Sequence, residues 1–188
     1  MDHYLDLHLL PDPELPPHQL LSALYAKLHR ALVQLGRNDI GISWPGHDDT
    51  VPSLGKHLRL HGSADALSAL AALPWLGGLT GLLRQTAIQP VPARAQHRQV
   101  QRVQAKSNPE RLRRRAMRRH GIDAVAARQR IPDSAAETLH LPFVQLNSRS
   151  TRQSSFPLYF RHGPLRPTPT ADTFNTFGLS KGGTVPWF

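Results

Sequence analysis

The chain carries 11 histidines among 188 residues and no cysteine. Histidine is the side chain whose charge changes nearest neutral pH, so proton transfer is the first chemistry to look for. The lack of cysteine removes disulfides, thiolate metal sites and cysteine nucleophiles. His29 is the most informative of the eleven. It lies at the edge of a leucine stripe, one helical turn after Tyr25, where a side chain is held by the core and still reaches a groove. On spacing alone, a boundary histidine without a task is the stronger reading. His57 and His61 stand four apart, but their segment reads as a strand, and no carboxylate takes a third-ligand position. There is no acidic cluster of the kind a two-metal nuclease requires. The expectation is a site with no metal and no cofactor. Asn147-Ser148-Arg149-Ser150-Thr151 is a polar turn whose hydroxyls would orient a ribose or phosphate, although serine-rich turns are also ordinary punctuation. Gly178-Leu179-Ser180-Lys181-Gly182-Gly183 offers bare N–H groups to a phosphate but lacks P-loop spacing. Pro186-Trp187-Phe188 is an apolar end suited to packing or to stacking on a base.

The charge balance names the kind of partner. Lys plus Arg is 23 and Asp plus Glu is 13, giving a net charge of +10 and a pI near 11.2. Such a surplus favours a polyanion, and the predominance of arginine suits phosphates and guanine edges. Arg111, Arg113, Arg114, Arg115, Arg118 and Arg119 fall in one short run. At about 100° per residue, all but Arg113 share one helix face. Like charges at that spacing repel, and phosphates would relieve the strain. Besides the bland possibility of a solvated basic face, this reads as a helix laid into a nucleic-acid groove. A regular A-form major groove is too narrow for it, so an RNA partner would offer a hairpin end or a distorted stem. Arg102 and Gln104 alternate with Val103 just upstream and would suit guanine and adenine edges, with a plain surface role almost as strong. RNA also carries its own nucleophile, the 2′-OH. Cleaving it takes only a group to accept that proton, a donor for the leaving 5′ oxygen and a rigid in-line pose.

The elements that must position these groups read as α+β. Tyr4–Leu10 alternates as a half-buried strand, and a helix over 18–35 carries Leu21, Leu24, Leu28, Leu32 and Leu35 before Gly36 stops it. Strands at 40–44 and 57–61 follow. Ser63 caps a helix ending at Pro74, and a strand over 82–88 completes a β-α-β-β-α-β order, the ferredoxin-like motif. Residues 89–94 read as a linker, dividing a ferredoxin-like domain over 1–92 from a region over 93–188. In the latter, Gln99–Gln104 is extended, the arginine helix spans about 108–120 with Asn108 as cap and Gly121 as stop, and a short helix covers 123–130. Strand-like pieces follow at 143–146, 156–161 and near Phe174. No apolar run approaches the roughly 20 residues that span a bilayer, and the start, Met1-Asp2-His3, shows no secretory signal. The reading is a cytoplasmic protein with no membrane partner.

Several stretches act as motifs: the start Met1-Asp2-His3-Tyr4-Leu5-Asp6, the run from Arg102-Val103-Gln104-Ala105-Lys106-Ser107-Asn108-Pro109-Glu110 into the arginines, Arg161-His162-Gly163-Pro164-Leu165, and Gly178–Gly183 with Val185–Phe188. Together, over essentially the whole chain, they resemble the CRISPR-associated type I-F (Ypest subtype) repeat-processing endoribonucleases, which mature guide RNA. The resemblance implies binding to the CRISPR repeat stem-loop, one metal-independent cut at the 3′ base of the stem, retention of the product, and assembly with other subunits of a type I-F guide-RNA complex. It implies His29 as the catalytic histidine, Ser148 as the serine that constrains the 2′-OH, and Ser150 as its supporting neighbour. It further implies Arg102 and Gln104 as base readers at the stem foot, Arg115 as a guanine contact, and Arg111, Arg114, Arg118 and Arg119 as phosphate contacts. Phe156 resembles the aromatic that stacks on the terminal base pair. Where the family often has a tyrosine whose hydroxyl helps hold the histidine, this chain has Phe177. That departure keeps open an alternative, a non-catalytic RNA-hairpin-binding subunit of a guide-RNA complex. A binder of duplex DNA is a further rival.

Overall fold

The structure is a computed structural model that describes residues 1–104, 109–135, 139–147 and 156–188. The fold is α+β, with antiparallel sheets and four helices among the described residues. Two compact units are present: Met1–Arg102 with Leu141–Phe188, and Val103–His140.

The first unit opens with β1 (His3–Leu9), whose alternation buries Leu5, Leu7 and Leu9. The helix α1 (Pro17–Leu35) starts on a proline, which fits a first helical turn, and ends where Gly36 turns left-handed at φ 67°. Leu21, Leu24, Leu28 and Leu32 of its stripe are buried, Leu24 and Leu28 wholly so, and Leu35 at its end is half-buried. Each buried side chain contributes about 1.5–3 kcal/mol. Then come β2 (Gly41–Ser43), β3 (His57–Gly62), α2 (Ala64–Ala71) and β4 (Leu83–Gln85). The Ser63 hydroxyl caps α2 by accepting the Ala66 N–H at 3.1 Å. The sheet order is β2-β3-β1-β4, antiparallel throughout, with Leu5 opposite Leu60 and Leu7 opposite Leu58. Those leucines and the stripes of α1 and α2 share one core.

Three expectations change here. The strand placed over 82–88 is only three residues long, because the chain leaves the ladder after Gln85. The supposed linker begins as β5 (Gln89–Pro90), which pairs with the start of β1. Phe174 is in no strand; it is buried, and its N–H donates to the Asn38 carbonyl at 2.8 Å. Further along, β6 (Gln96–Arg98) pairs with β10 (Val185–Trp187), and β7 (Val100–Val103), β8 (Phe143–Leu146) and β9 (Phe156–His162) form a sheet ordered β7-β9-β8.

The second unit holds α3 (Pro109–His120) and α4 (Ala124–Arg130). Gly121, at φ 63°, ends α3, and the Asp123 carboxylate caps α4 through the Ala126 N–H at 2.8 Å. Asn108, expected to cap α3, lies outside the described residues. None of the described helices is long and apolar enough to cross a membrane.

Candidate active site

His29 follows Tyr25 by four residues on α1, so the two side chains share one helix face. Opposite them is a tight turn built by Asn175. Its side-chain oxygen accepts the N–H groups of Phe177 (2.8 Å) and Leu179 (3.3 Å). Its backbone carbonyl accepts from Gly178 at 2.8 Å, and its N–H donates to the Leu179 carbonyl at 2.9 Å. Gly178 is required by the close approach: φ is 68°, and a Cβ would meet Cγ2 of Ile42 at 2.6 Å. The Ile42 N–H donates to the Gly178 carbonyl at 3.0 Å, which fixes the turn to β2.

This turn aims the Thr176 carbonyl at Nδ1 of His29, 2.8 Å away. A carbonyl only accepts, so Nδ1 carries the proton, and in the neutral ring the lone pair is on Nε2. The Phe177 ring lies face to face with the imidazole, with centroids 3.9 Å apart and planes 3° from parallel. The Arg102 guanidinium carbon is 6.0 Å from the same phenyl centroid, at the outer edge of cation–π range. Beneath them, the Tyr25 hydroxyl donates to the Phe177 carbonyl at 2.7 Å. Tyr25 is fully buried against Trp44 and Phe160, and burial pushes its phenol well above its usual pKa. The arrangement offers one oriented imidazole nitrogen able to take or give a proton, with a guanidinium near the far partner of its ring stack.

The structure thus brings His29 and Arg102 to a common neighbour, Phe177. Arg102 is exposed on β7, and Gln104 is exposed just beyond it. Phe156 opens β9 opposite Leu146, half-buried against the core. Ser148 and Ser150 lie outside the described residues. On α3, Arg111, Arg114, Arg115, Arg118 and Arg119 are exposed while Arg113 is buried. Arg113 donates from Nε to the Ile131 carbonyl at 2.8 Å and reaches Asp133 at 2.6 Å and Glu110 at 3.3 Å. The Thr176 carbonyl, the Tyr25 hydroxyl and Asn175 were missed from sequence. The one available signal was Asn175 three residues before Gly178, the pattern of an Asx-stabilised turn.

Two other groupings of histidine and aspartate occur among the described residues. In one, Asp6 is buried and gripped by Arg59 at 2.7 and 2.9 Å, with His57 Nε2 at 2.9 Å. Burial opposes its charge, but the hydrogen bonds from Arg59 and His57 outweigh that and hold the carboxyl well below the usual carboxylate range. In the other, the rings of His47 and His162 stack at 3.6 Å, and Arg98 approaches His47 Nε2 at 3.4 Å. In each grouping an arginine already engages one of the prospective ligand groups, Asp6 in the first and His47 in the second. His57 and His61 share a face of β3 but sit about 13 Å apart along it, too far for a common ligand. The ring of His61 bonds to the Ser43 hydroxyl instead, at 2.8 Å.

Residues 4–188 match the family described as CRISPR-associated protein (Cas_Csy4). The chain is 56% identical over 188 residues to the CRISPR-associated endonuclease Cas6/Csy4 of Pseudomonas aeruginosa (strain UCBPP-PA14), covering all of both chains. It is 44% identical, again over the full length of both, to the Cas6/Csy4 endonuclease of Escherichia coli (strain UTI89 / UPEC).

Proposed function

Because the chain belongs to the Cas_Csy4 family of CRISPR-associated proteins and is an endonuclease, we propose that it binds the stem-loop of the CRISPR repeat and cuts once at the 3′ base of the stem. The observation that carries this reading is the imidazole of His29, whose Nδ1–H is committed to the Thr176 carbonyl at 2.8 Å. Nε2 is left to serve the substrate. As a base it takes the proton of the 2′-OH; the 2′ oxygen then attacks the adjacent phosphorus, and the bond from phosphorus to the 5′ oxygen breaks. As an acid it gives a proton to that leaving oxygen. The products are a 2′,3′-cyclic phosphate and a 5′-hydroxyl, with no metal required. By likeness to the family, Ser148, supported by Ser150, holds the ribose in line.

Recognition falls to the basic residues. Arg102 and Gln104 read bases at the stem foot, Phe156 stacks on the last pair, Arg115 contacts a guanine, and Arg111, Arg114, Arg118 and Arg119 contact phosphates. The exposure of all five α3 arginines supports this. A grip on the stem rather than on the leaving strand keeps the product bound, ready for other subunits of a guide-RNA complex in the cytoplasm. Residues 1–92 carry the catalytic histidine, and their βαββαβ order and β2-β3-β1-β4 sheet support a ferredoxin-like domain; residues 93–188 form the hairpin-binding region, which also carries Ser148 and Ser150. The missing phenol at Phe177 was the ground for a non-catalytic subunit; against it, the Thr176 carbonyl orients the imidazole at 2.8 Å without a phenol.

The test is cleavage of the repeat hairpin in EDTA by wild type and His29→Ala, with a second RNA carrying a 2′-deoxy sugar at the scissile nucleotide. Cutting only by wild type on all-ribose RNA is expected. Equal cutting by His29→Ala, or any cutting of the deoxy substrate, refutes the mechanism.

A further inference from the structure

We propose that Tyr25 is a positioning residue for His29, its phenol tying down the turn that holds the imidazole. The proposal rests on the reading of His29 as the proton-transfer group. Two consecutive carbonyls of one turn are bound to two side chains one helical turn apart. Phe177 C=O accepts from Tyr25 at 2.7 Å, and Thr176 C=O accepts from His29 at 2.8 Å. Tyr25 cannot shift to follow a moving turn, since it is fully buried and wedged between Trp44 (centroids 5.8 Å) and Phe160 (5.5 Å). Its hydroxyl stays protonated across the working range, so the donor is permanent.

Packing alone does not explain the hydroxyl. A phenylalanine would fill the same space between Trp44 and Phe160 and bring no polar atom into the core. The phenol instead fixes the peptide plane between Phe177 and Gly178. The Phe177 Cα at one end of that plane bears the ring lying parallel on His29 at 3.9 Å. If the bond is lost, the Phe177 carbonyl is released, and both contacts to the imidazole loosen together. Asn175 secures the same turn from the other side through the N–H groups of Phe177 and Leu179.

The experiment compares full-length wild type, Tyr25→Phe, Asn175→Ala and His29→Ala. Nitrogen-15 NMR of the His29 ring reports the tautomer, and single-turnover cleavage of a repeat hairpin in EDTA reports the chemistry. Tyr25→Phe is expected to turn a single Nδ1–H tautomer into a mixture. It should slow cleavage about tenfold to 100-fold, the scale of a misplaced reacting group, with hairpin Kd within about twofold. Asn175→Ala should move both readouts the same way. Tyr25→Phe with the wild-type tautomer and the wild-type rate overturns the proposal, whatever its melting temperature. Cleavage by His29→Ala at the wild-type rate would sink the catalytic reading instead, and the Tyr25 tether would then stand or fall on the imidazole signals alone.

Discussion

Replacing Arg113 by alanine should unfold structure, whereas replacing its neighbours should not. Arg113 is 7% exposed on a helix whose other arginines face solvent. Two of its contacts are of little worth. The Asp133 carboxylate is 94% exposed and that of Glu110 is 54% exposed, so each pair contributes less than about 1 kcal/mol. The bond from Nε to the Ile131 carbonyl is the stronger one. A charged donor on a partly buried acceptor is worth about 1.5–3 kcal/mol, and the aliphatic stem adds its packing. The total is about 2–4 kcal/mol, set against a unit spanning only Val103–His140. Units of that size have little stability in reserve. Amide hydrogen exchange should therefore accelerate across α3 and α4 in Arg113→Ala. In Arg114→Ala it should stay within about 0.5 kcal/mol of wild type, while hairpin affinity falls and the salt slope shrinks by about 0.7–0.9. Unchanged exchange in Arg113→Ala, or equal acceleration in Arg114→Ala, would refute the division of labour.

Acid should weaken the fold. Burial pushes His61 and His162 down to about 3, so between that value and the unfolded pKa of about 6.5 the unfolded chain binds the extra protons. Their contribution is fully present above about pH 6.5 and is lost as pH falls towards 3, by at most about 1.4 kcal/mol per pH unit for each ring. Melting temperature should drop between pH 7.5 and 5, and His162→Phe, which removes a ring whose nitrogens have no hydrogen-bond partner among the described residues, should flatten that slope; an unchanged slope would remove His162 from the account. Gly178→Ala must both take up a left-handed backbone and displace Ile42, costing about 2–4 kcal/mol. It should slow cleavage with little change in hairpin Kd, and a wild-type rate would show that the turn does not govern the site.

Much of the scaffold was written in side-chain pattern. The leucine spacing of α1, the glycine after it, and the cap at Ser63 each act within a few residues, where local chemistry decides the outcome. The alternation of Leu5, Leu7 and Leu9 likewise announces β1. Short strands such as β5, β6 and β10 were not legible, because two or three residues carry no period. The polar face of β1 gave no hint that Asp6 is buried, since its partner Arg59 arrives only through strand register. Arg113 could be seen to leave the arginine face, yet its acceptors at Ile131 and Asp133 depend on how α4 folds back. At the site, sequence pointed to His29, but its anchor is a main-chain carbonyl that any residue at 176 would offer.

A main-chain anchor also sets how the site withstands change. A bond made by backbone belongs to the path of the chain and not to a letter in it. No single substitution at 176 deletes the carbonyl, so drift there leaves the imidazole tethered. Vulnerability moves to the residues that bend the chain, Asn175 and Gly178, and to the helix that brings His29 to meet it. The orientation of the imidazole is thereby insured against most mutations at the nearest position and exposed to a few at more distant ones.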